Sequence, residues 1–432
     1  MKSNIIVVGS GVGGATIAKE LSAQGLNVTI LEKGRYHKLG TERSALNFYS
    51  GSLWNFCPGE KSKEGTEILR TVMVGGSSMV TLGNGVRALH KELATLGIDL
   101  EKEFEEAEKE LAVKPMPENL MGERTKKLMT ASKELGYKVK PMPKFIDFKK
   151  CRSCGNCVLG CRYGAKWTAQ NFLWQARRNG AKLITGAAVD KVFHSNGEVK
   201  GVHVRTSSGF SEIQAENVIL AAGGIGTPII LQNSGLNNAG DHLFADLLIN
   251  TYGMLDKGGM EDEIGMATVI DTYHESHGFI LSPILDTRLD MFLYLPLFKK
   301  LRALRRDRIL GLMTKITDDN AGRVDANGKI HKPVTENDEK KLRLGDEISR
   351  KILLQAGVSP KSLYTTRVRG GHPGGTAGIG RVVNIDQETE INRLFISDAS
   401  VFPTSPGAPP VLTIVALSKQ LSRKIVSEYI KN

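Results

Sequence analysis

Cys151, Cys154, Cys157 and Cys161 place four of the chain's five cysteines within eleven positions, in "CRSCGNCVLGC". The spacing C-x2-C-x2-C-x3-C is that of bacterial-type ferredoxin loops, where a short run wraps around a cubane and offers thiolates and N–H groups to its sulfurs. Structural zinc more often uses two separated pairs, and a redox dithiol needs only one. The run predicts a [4Fe-4S] cluster, with zinc or unliganded thiols as the alternatives. In two-cluster ferredoxins the fourth cysteine serves the other cluster, and a remote cysteine before proline completes the first. Cys57, followed by Pro58, has that form. The fourth ligand is therefore expected from Cys161 or Cys57, with Cys161 favoured because local closure needs no long-range folding. After Trp54 and Phe56, Cys57 also reads as a buried apolar residue.

A second constellation opens the chain. In "VVGSGVGGATIAKEL", Gly9, Gly11 and Gly14 form GxGxxG between an apolar strand, expected at 4–8, and a helix, expected at 12–24. Glycines let a diphosphate approach the helix N-terminus, where free N–H groups and the helix dipole favour negative charge. Glu32 ends the next strand, expected at 27–32, where a carboxylate can accept hydrogen bonds from ribose hydroxyls. A nicotinamide enzyme needs only this loop. Here "VMVGGSSMVTLGNGV" (72–86) and "VILAAGGIGTPIILQNSG" (218–235) add two glycine turns, and Asp398 closes a strand near the end. Several loops converging on one elongated ligand favour FAD.

These motifs need a frame. At 432 residues the chain suggests two domains or one large domain with a cap. Residues 86–136 are charge-rich and helical in pattern. Residues 168–180 read as a helix stopped by Gly180, and residues 181–224 as a β-meander with turns at "SNGE" and "SSG". From about 241 to 365 the pattern is less regular, as in a separate substrate-facing lobe, and a helix is expected from about 411. Forty-seven glycines imply sharp turns or close approach to a ligand, and the net charge of +12 favours an acidic partner, an anionic ligand or a membrane surface. Four cysteines at metal-ligand spacing fit a reducing compartment. The uncharged start has the glycine spacing of a nucleotide loop rather than the form of a signal peptide, and no span resembles a membrane helix. A cytoplasmic protein, soluble or peripheral to a membrane, is expected.

With these stretches in view, the chain resembles the glucose-methanol-choline (GMC) family of FAD-dependent oxidoreductases over most of its length. The resemblance rests on residues 7–34, "VGGSS" at 74–78, "VILAAGGIGTPIILQNSG", "HPGGTAGIG" at 372–380 and "LFISDASVFPTSPGAPPVLTIVALSKQLSRKI". It implies an α/β fold, with a Rossmann-like FAD-binding domain assembled from 1–85, 151–240 and 366–432. A helical cap segment at 86–150 and a smaller α+β substrate lobe at 241–365 complete it. It also implies FAD contacts at Gly9, Gly11, Gly14 and Glu32, at Gly75, Gly76 and Ser77 beside the flavin, at Val189 near adenine, and at Asp398.

By the same resemblance, His372 in "HPGGT" is the group that faces the flavin and removes the hydroxyl proton as hydride leaves the alcohol. Imidazole suits this, since it exchanges a proton near neutral pH. The bland reading is a histidine that holds a glycine-rich loop. The family's second active-site residue, usually Asn or His, falls in "APPVLT", where Pro409 or Pro410 offers no side-chain hydrogen bond. His274 and His277 in "DTYHESHG" are candidate substitutes, and with Asp271 they also resemble metal spacing.

The expected function is therefore an FAD-dependent dehydrogenase acting on an alcohol or the matching carbonyl. Electrons would leave through the cluster to an acceptor such as an acidic ferredoxin, steered by the basic surface. The alternatives are a flavin and iron–sulfur electron carrier without alcohol chemistry, and a cofactor scaffold with a structural metal. Residues 289–312 place an apolar run beside Lys299, Lys300, Arg302, Arg305, Arg306 and Arg308. They read as a cap helix with a solvated basic face, or as a surface for anionic lipid. No nucleic-acid motif is present.

Overall fold

The computed structural model describes residues 2–50, 59–294 and 297–430. Cys57, Trp54 and Phe56 lie outside the described residues, as do Leu295 and Pro296.

The expected βαβ unit is present. Strand β1 (Lys2–Val8) leads through the glycine turn into helix α1 (Val12–Ala23) and then β2 (Val28–Glu32). The apolar run Ile5–Val8 is buried, as a strand between two covered faces requires. Residues 169–178 form a helix with a capping box of Thr168 and Asn171. The meander then supplies β3 (Lys182–Thr185), β4 (Ala188–Ser195), β5 (Glu198–Thr206) and β6 (Gly209–Leu220). These build a sheet of order β3-β2-β1-β6-β5-β4, to which Leu394–Ile396 adds in parallel beside β6. β1 and β6 run parallel and end together, Val8 opposite Leu220. Their carboxyl ends present the first and third glycine turns side by side, the place where open α/β sheets bind ligands. Helix α2 (Gly223–Asn233) follows β6 directly.

A second sheet stands over that edge. Its centre is β7 (Leu247–Met254), and β8 (Phe279–Pro283) and β9 (Ile309–Ile316) extend it antiparallel in the order β8-β9-β7. On the other side of β7 come Arg369–Gly370, Glu67–Ile68 and Glu60–Lys61, contributed from outside residues 241–365. One face of this sheet packs Leu247, Ile249, Leu281, Leu310, Leu312 and Ile316 against helix α3 (Glu336–Gln355). The period of two sends Leu248, Asn250, Ile280, Ser282, Met313 and Lys315 to the opposite face. Helix α4 (Val411–Ile425) returns the chain against α1 and closes the first core.

Residues 86–150 carry helices His90–Thr95, Glu101–Glu110 and Glu123–Glu134. The basic stretch forms a helix at Arg288–Tyr294 and tight helical turns at Leu297–Arg308. Some of its charge is already engaged: Arg306 is buried, pairs with Asp262 and donates to the Asp286 carbonyl. Among the described residues, no helix is long and apolar enough to cross a membrane.

Candidate active site

One serine and two carboxylates fix the three glycine turns, the first to the second through Ser10 and Glu32 and the third to the strand end at Asp398. Ser10 Oγ donates to Glu32 Oε2 at 2.6 Å and accepts from Gly75 N at 3.0 Å. The Glu32 carboxylate also accepts from Ser10 N and Gly34 N. Glu32 thus holds the first loop to the end of β2. Close packing explains two of the glycines: a Cβ on Gly13 would lie 1.6 Å from the Ser397 carbonyl oxygen, and one on Gly14 would lie 2.1 Å from that of Gly9. Gly11 differs, since a Cβ there would meet nothing within 4 Å among the described residues. Among the same residues, no side chain caps α1. Open space at an uncapped helix start suits the diphosphate of a dinucleotide, so these residues fit FAD.

The other expected contacts fall around the same edge. Gly75 and Gly76 both have positive φ, and a Cβ on Gly76 would come within 3.0 Å of the Gly11 Cα. The second turn therefore lies against the first. Ser77 Oγ accepts from Thr71 N. Val189 is half-buried on β4, packed against the first core. Asp398 Oδ2 accepts from Gly223 N and Thr227 Oγ1, while its Oδ1 accepts from Ser400 N and Oγ. Asp398 thus pins the third turn and the start of α2. Pro409 and Pro410 are buried at the start of α4.

His372 stands where the segment after Arg369–Gly370 crosses the end of β7. Its Nδ1 lies 2.9 Å from Asp246 Oδ2 and 3.3 Å from Lys315 Nζ. Asp246 is fully buried, with its backbone in the left-handed region at φ 48°. Its second oxygen lies 2.7 Å from Ser405 Oγ and accepts from Gly407 N at 3.0 Å. Because a carboxylate only accepts, the neutral imidazole carries its proton on Nδ1 and has its lone pair on Nε2. The side chain retains 23% exposure. Burial and the Lys315 charge push the His372 pKa down against the pull of Asp246. One layer further back, Asp318 and Lys332 form a fully buried ion pair at 2.9 Å, joined to the same network through Ser405.

The loop that leads to Pro409 and Pro410 is thus bound, through Ser405 and Gly407, to the histidine's own partner. Lys315 comes instead from β9, on the sheet face that carries Met313, Asn250 and Ser282. Asn250 and Ser282 sit on either side of Met313 in one cross-strand row. Both are buried, and among the described residues Asn250 Oδ1 and Ser282 Oγ have no hydrogen-bond partner. Asn250 Nδ2 donates to Asp286 Oδ2 and to the Tyr252 hydroxyl. Met313 of this row belongs to one buried cluster with Met142 and Met266, and Leu82 packs against it, side chains that repack readily.

His274 and His277 are elsewhere. His274 Nε2 is paired with the Pro406 carbonyl, His277 with Ser276, and Asp271 with Lys140. A cavity of about 540 Å³ is lined by both histidines, Glu92, Lys341 and Ser405. Neither His372 nor Lys315 lines it, so its size does not make it the reacting centre.

Cys151, Cys154, Cys157 and Cys161 border one cavity of about 20 Å³. Burial raises the Cys151 and Cys157 pKa values. Among the described residues, no three His, Cys, Asp or Glu side chains are arranged to hold a metal ion. The donor set suits a thiolate-bound metal group, while the spacing of the thiols here grips none. Lys166, 3% exposed, donates to the Met79, Thr81 and Cys157 carbonyls, and so joins the second glycine turn to the cysteine loop. Lys144, fully buried, donates to Leu82 O, Asn84 Oδ1 and Gly265 O. Burial lowers their pKa values to about 8 and about 7. Among the described residues, neither has a carboxylate at ion-pair distance.

The sequence singles out His372, the glycine turns and the cysteines as candidates. It does not single out Asp246, Lys315 or Lys144, and Lys166, although it follows the cysteine run, carries no recognisable spacing of its own.

Comparison with known proteins identifies the family. Family models described as GMC oxidoreductase match residues 3–250 and 315–418. An uncharacterized protein of Methanocaldococcus jannaschii is 31% identical over 97% of this chain and 99% of its own. A long-chain-alcohol oxidase of Arabidopsis thaliana is 25% identical over 98% of this chain and 68% of its own. Among solved structures, pyridoxine 4-oxidase from Mesorbium loti superposes with a TM-score of 0.73 at 16% identity, covering 98% of this chain and 99% of that one.

Proposed function

The chain belongs to the GMC oxidoreductase family, and from that premise we propose that it oxidises an alcohol to the matching carbonyl, or runs the reverse, with FAD as its redox partner. The observation that carries the reading is His372, held through Nδ1 by a buried carboxylate, with no hydrogen-bond partner at Nε2 among the described residues. Bound FAD supplies the hydride acceptor for the carbinol carbon. His372 Nε2 takes the hydroxyl proton as the C–H bond breaks, and in the reverse direction returns it to the carbonyl oxygen. Asp246 fixes the tautomer and steadies the imidazolium that forms. Gly11 and the start of α1 receive the diphosphate, while Glu32, Ser10 and Asp398 hold the turns in register.

The substrate lies between His372 and the face of β7, β8 and β9. The unpartnered Asn250 Oδ1 and Ser282 Oγ support an alcohol with a second polar group, and the methionines support an apolar body between its two ends.

The electron outlet is the finer point of the reading. Relatives with names are called oxidases, whereas this chain's cysteine loop supports a dehydrogenase whose electrons leave through a [4Fe-4S] cluster to an acidic carrier. Lys144 and Lys166, buried without carboxylate partners among the described residues, support it, because buried cations need compensating charge and a thiolate-ligated cluster is anionic. Lys166 ties that loop to the turn expected beside the flavin.

The test is flavin and metal analysis of anaerobically purified protein, followed by a panel of alcohols with an artificial acceptor and with oxygen. Alcohol-dependent turnover supports the reading. Flavin-loaded protein that oxidises none and reduces no carbonyl would overturn it. Rapid peroxide formation from an iron-free protein would overturn the cluster outlet alone.

A further inference from the structure

We propose that Lys315 is a positioning residue for His372, its ammonium setting the imidazole as a neutral base in place of any help from residues 409 and 410. The inference rests on the reading of His372 as the proton acceptor.

The geometry leaves Lys315 little else to do. Nδ1 can carry one proton or one lone pair, and with Asp246 Oδ2 2.9 Å away it carries the proton. Lys315 Nζ, 3.3 Å from the same nitrogen, therefore has no acceptor there and acts through its charge. The buried carboxylate draws the ring toward imidazolium, which cannot take a proton from an alcohol, and burial opposes that pull. A second charge of opposite sign on the same side cancels that pull. Asp246 then fixes the ring's direction without fixing its charge.

The other charged groups facing this site are already balanced. Asp318 and Lys332 neutralise one another, and Ser405 stands between them and Asp246. Lys315 is 4% exposed and makes no salt bridge among the described residues, and its stem lies between Leu248 and Ile280 in one cross-strand row. Its nearest counter-charge is Asp246, which acts on it beside the imidazole rather than through a salt bridge, and burial still disfavours the ammonium. On the loop side, Gly407 N reaches Asp246 rather than the substrate space, and Pro409 and Pro410 have no polar side-chain atom. The sheet thus supplies the electrostatic influence that the loop cannot.

The test uses FAD-loaded protein with Lys315→Met, which preserves the length of the apolar stem, and Lys315→Arg, which preserves the charge. The first readout is the pH titration of the His372 ring by NMR with labelled histidine, assigned with His372→Gln. The midpoint should move upward by about one pH unit or more in Lys315→Met and stay near the wild-type value in Lys315→Arg. The second readout is the pH profile of flavin reduction by alcohol. The acid limb of the Lys315→Met profile should lie about one pH unit or more above that of the wild type, and that of Lys315→Arg should stay with the wild type. An unchanged His372 midpoint in Lys315→Met overturns the proposal. If no alcohol reduces the wild-type flavin, the functional reading fails, while the NMR titration still decides the role of Lys315. Should Lys315→Met not fold, Lys315→Gln carries the same two readouts.

Discussion

Asp246 holds His372 by Nδ1, at 2.9 Å, across 126 residues of sequence, and leaves Nε2 as the nitrogen able to take a proton. His372→Ala should therefore keep FAD and lower the rate of flavin reduction by about 10²- to 10⁴-fold. Asp246→Asn should fall in the same range, because an amide can offer a donor where Nδ1–H needs an acceptor. Stopped-flow reduction by alcohol, with flavin content measured in parallel, checks both. Equal rates in wild type and His372→Ala would remove His372 from the proton transfer.

Gly11 and Gly14 should respond differently to the same substitution. Gly11→Ala meets no atom of the described chain, so apoprotein stability should be unchanged while most bound FAD is lost. Gly14→Ala drives its Cβ to 2.1 Å from the Gly9 carbonyl oxygen, and should cost about 1–3 kcal/mol of stability even without cofactor. Thermal melts of apoprotein beside flavin titrations separate the two.

The cysteine loop makes a compositional prediction. Protein purified without oxygen should contain about four irons per chain. Serine at Cys151, Cys154 or Cys157 should remove most of the iron and leave FAD in place. Of Cys161→Ser and Cys57→Ser, the one that lowers iron identifies the fourth ligand. Zinc in place of iron, or full iron content in all five variants, would overturn the cluster.

Lys315 also gives stability a pH dependence. Burial lowers its pKa to about 8 in the folded chain, whereas the unfolded lysine titrates near the usual value of about 10.4. Between these values the unfolded chain binds a proton that the folded chain does not, so the contribution to stability rises with pH. Below about pH 8 the cost of burying the ammonium is present in full. Lys144 and Lys166 act with the same sign in wild type and variant alike. The stability of wild type relative to Lys315→Met should therefore climb from about pH 8 to about pH 10, as measured by denaturant melts.

The elements of this site that depend on local form were legible in the sequence. A glycine turn between a strand and a helix stands out because close packing at Gly13 and Gly14 and ligand space at Gly11 both call for glycine, and His372 stands out because its loop has a recognisable pattern. Asp246 and Lys315 are different. Asp246 sits at an irregular left-handed position, and Lys315 resembles any lysine at the end of an apolar strand until the register of β7, β8 and β9 turns it inward. Lys144 and Lys166 were hidden for a similar reason, since most of their acceptors are carbonyls from separate segments of the chain. In Cys151–Cys161 the spacing specified a ligand set more sharply than the folded loop does.

The most direct test of the central claim is an anaerobic titration of FAD-loaded protein with an alcohol that it turns over, carried out in wild type and His372→Ala. The expected result is that the wild-type flavin bleaches while carbonyl product forms, one for each two electrons taken up, and that His372→Ala keeps its oxidised spectrum over the same time. Bleaching at the same rate in both proteins, or bleaching without carbonyl product, would contradict it.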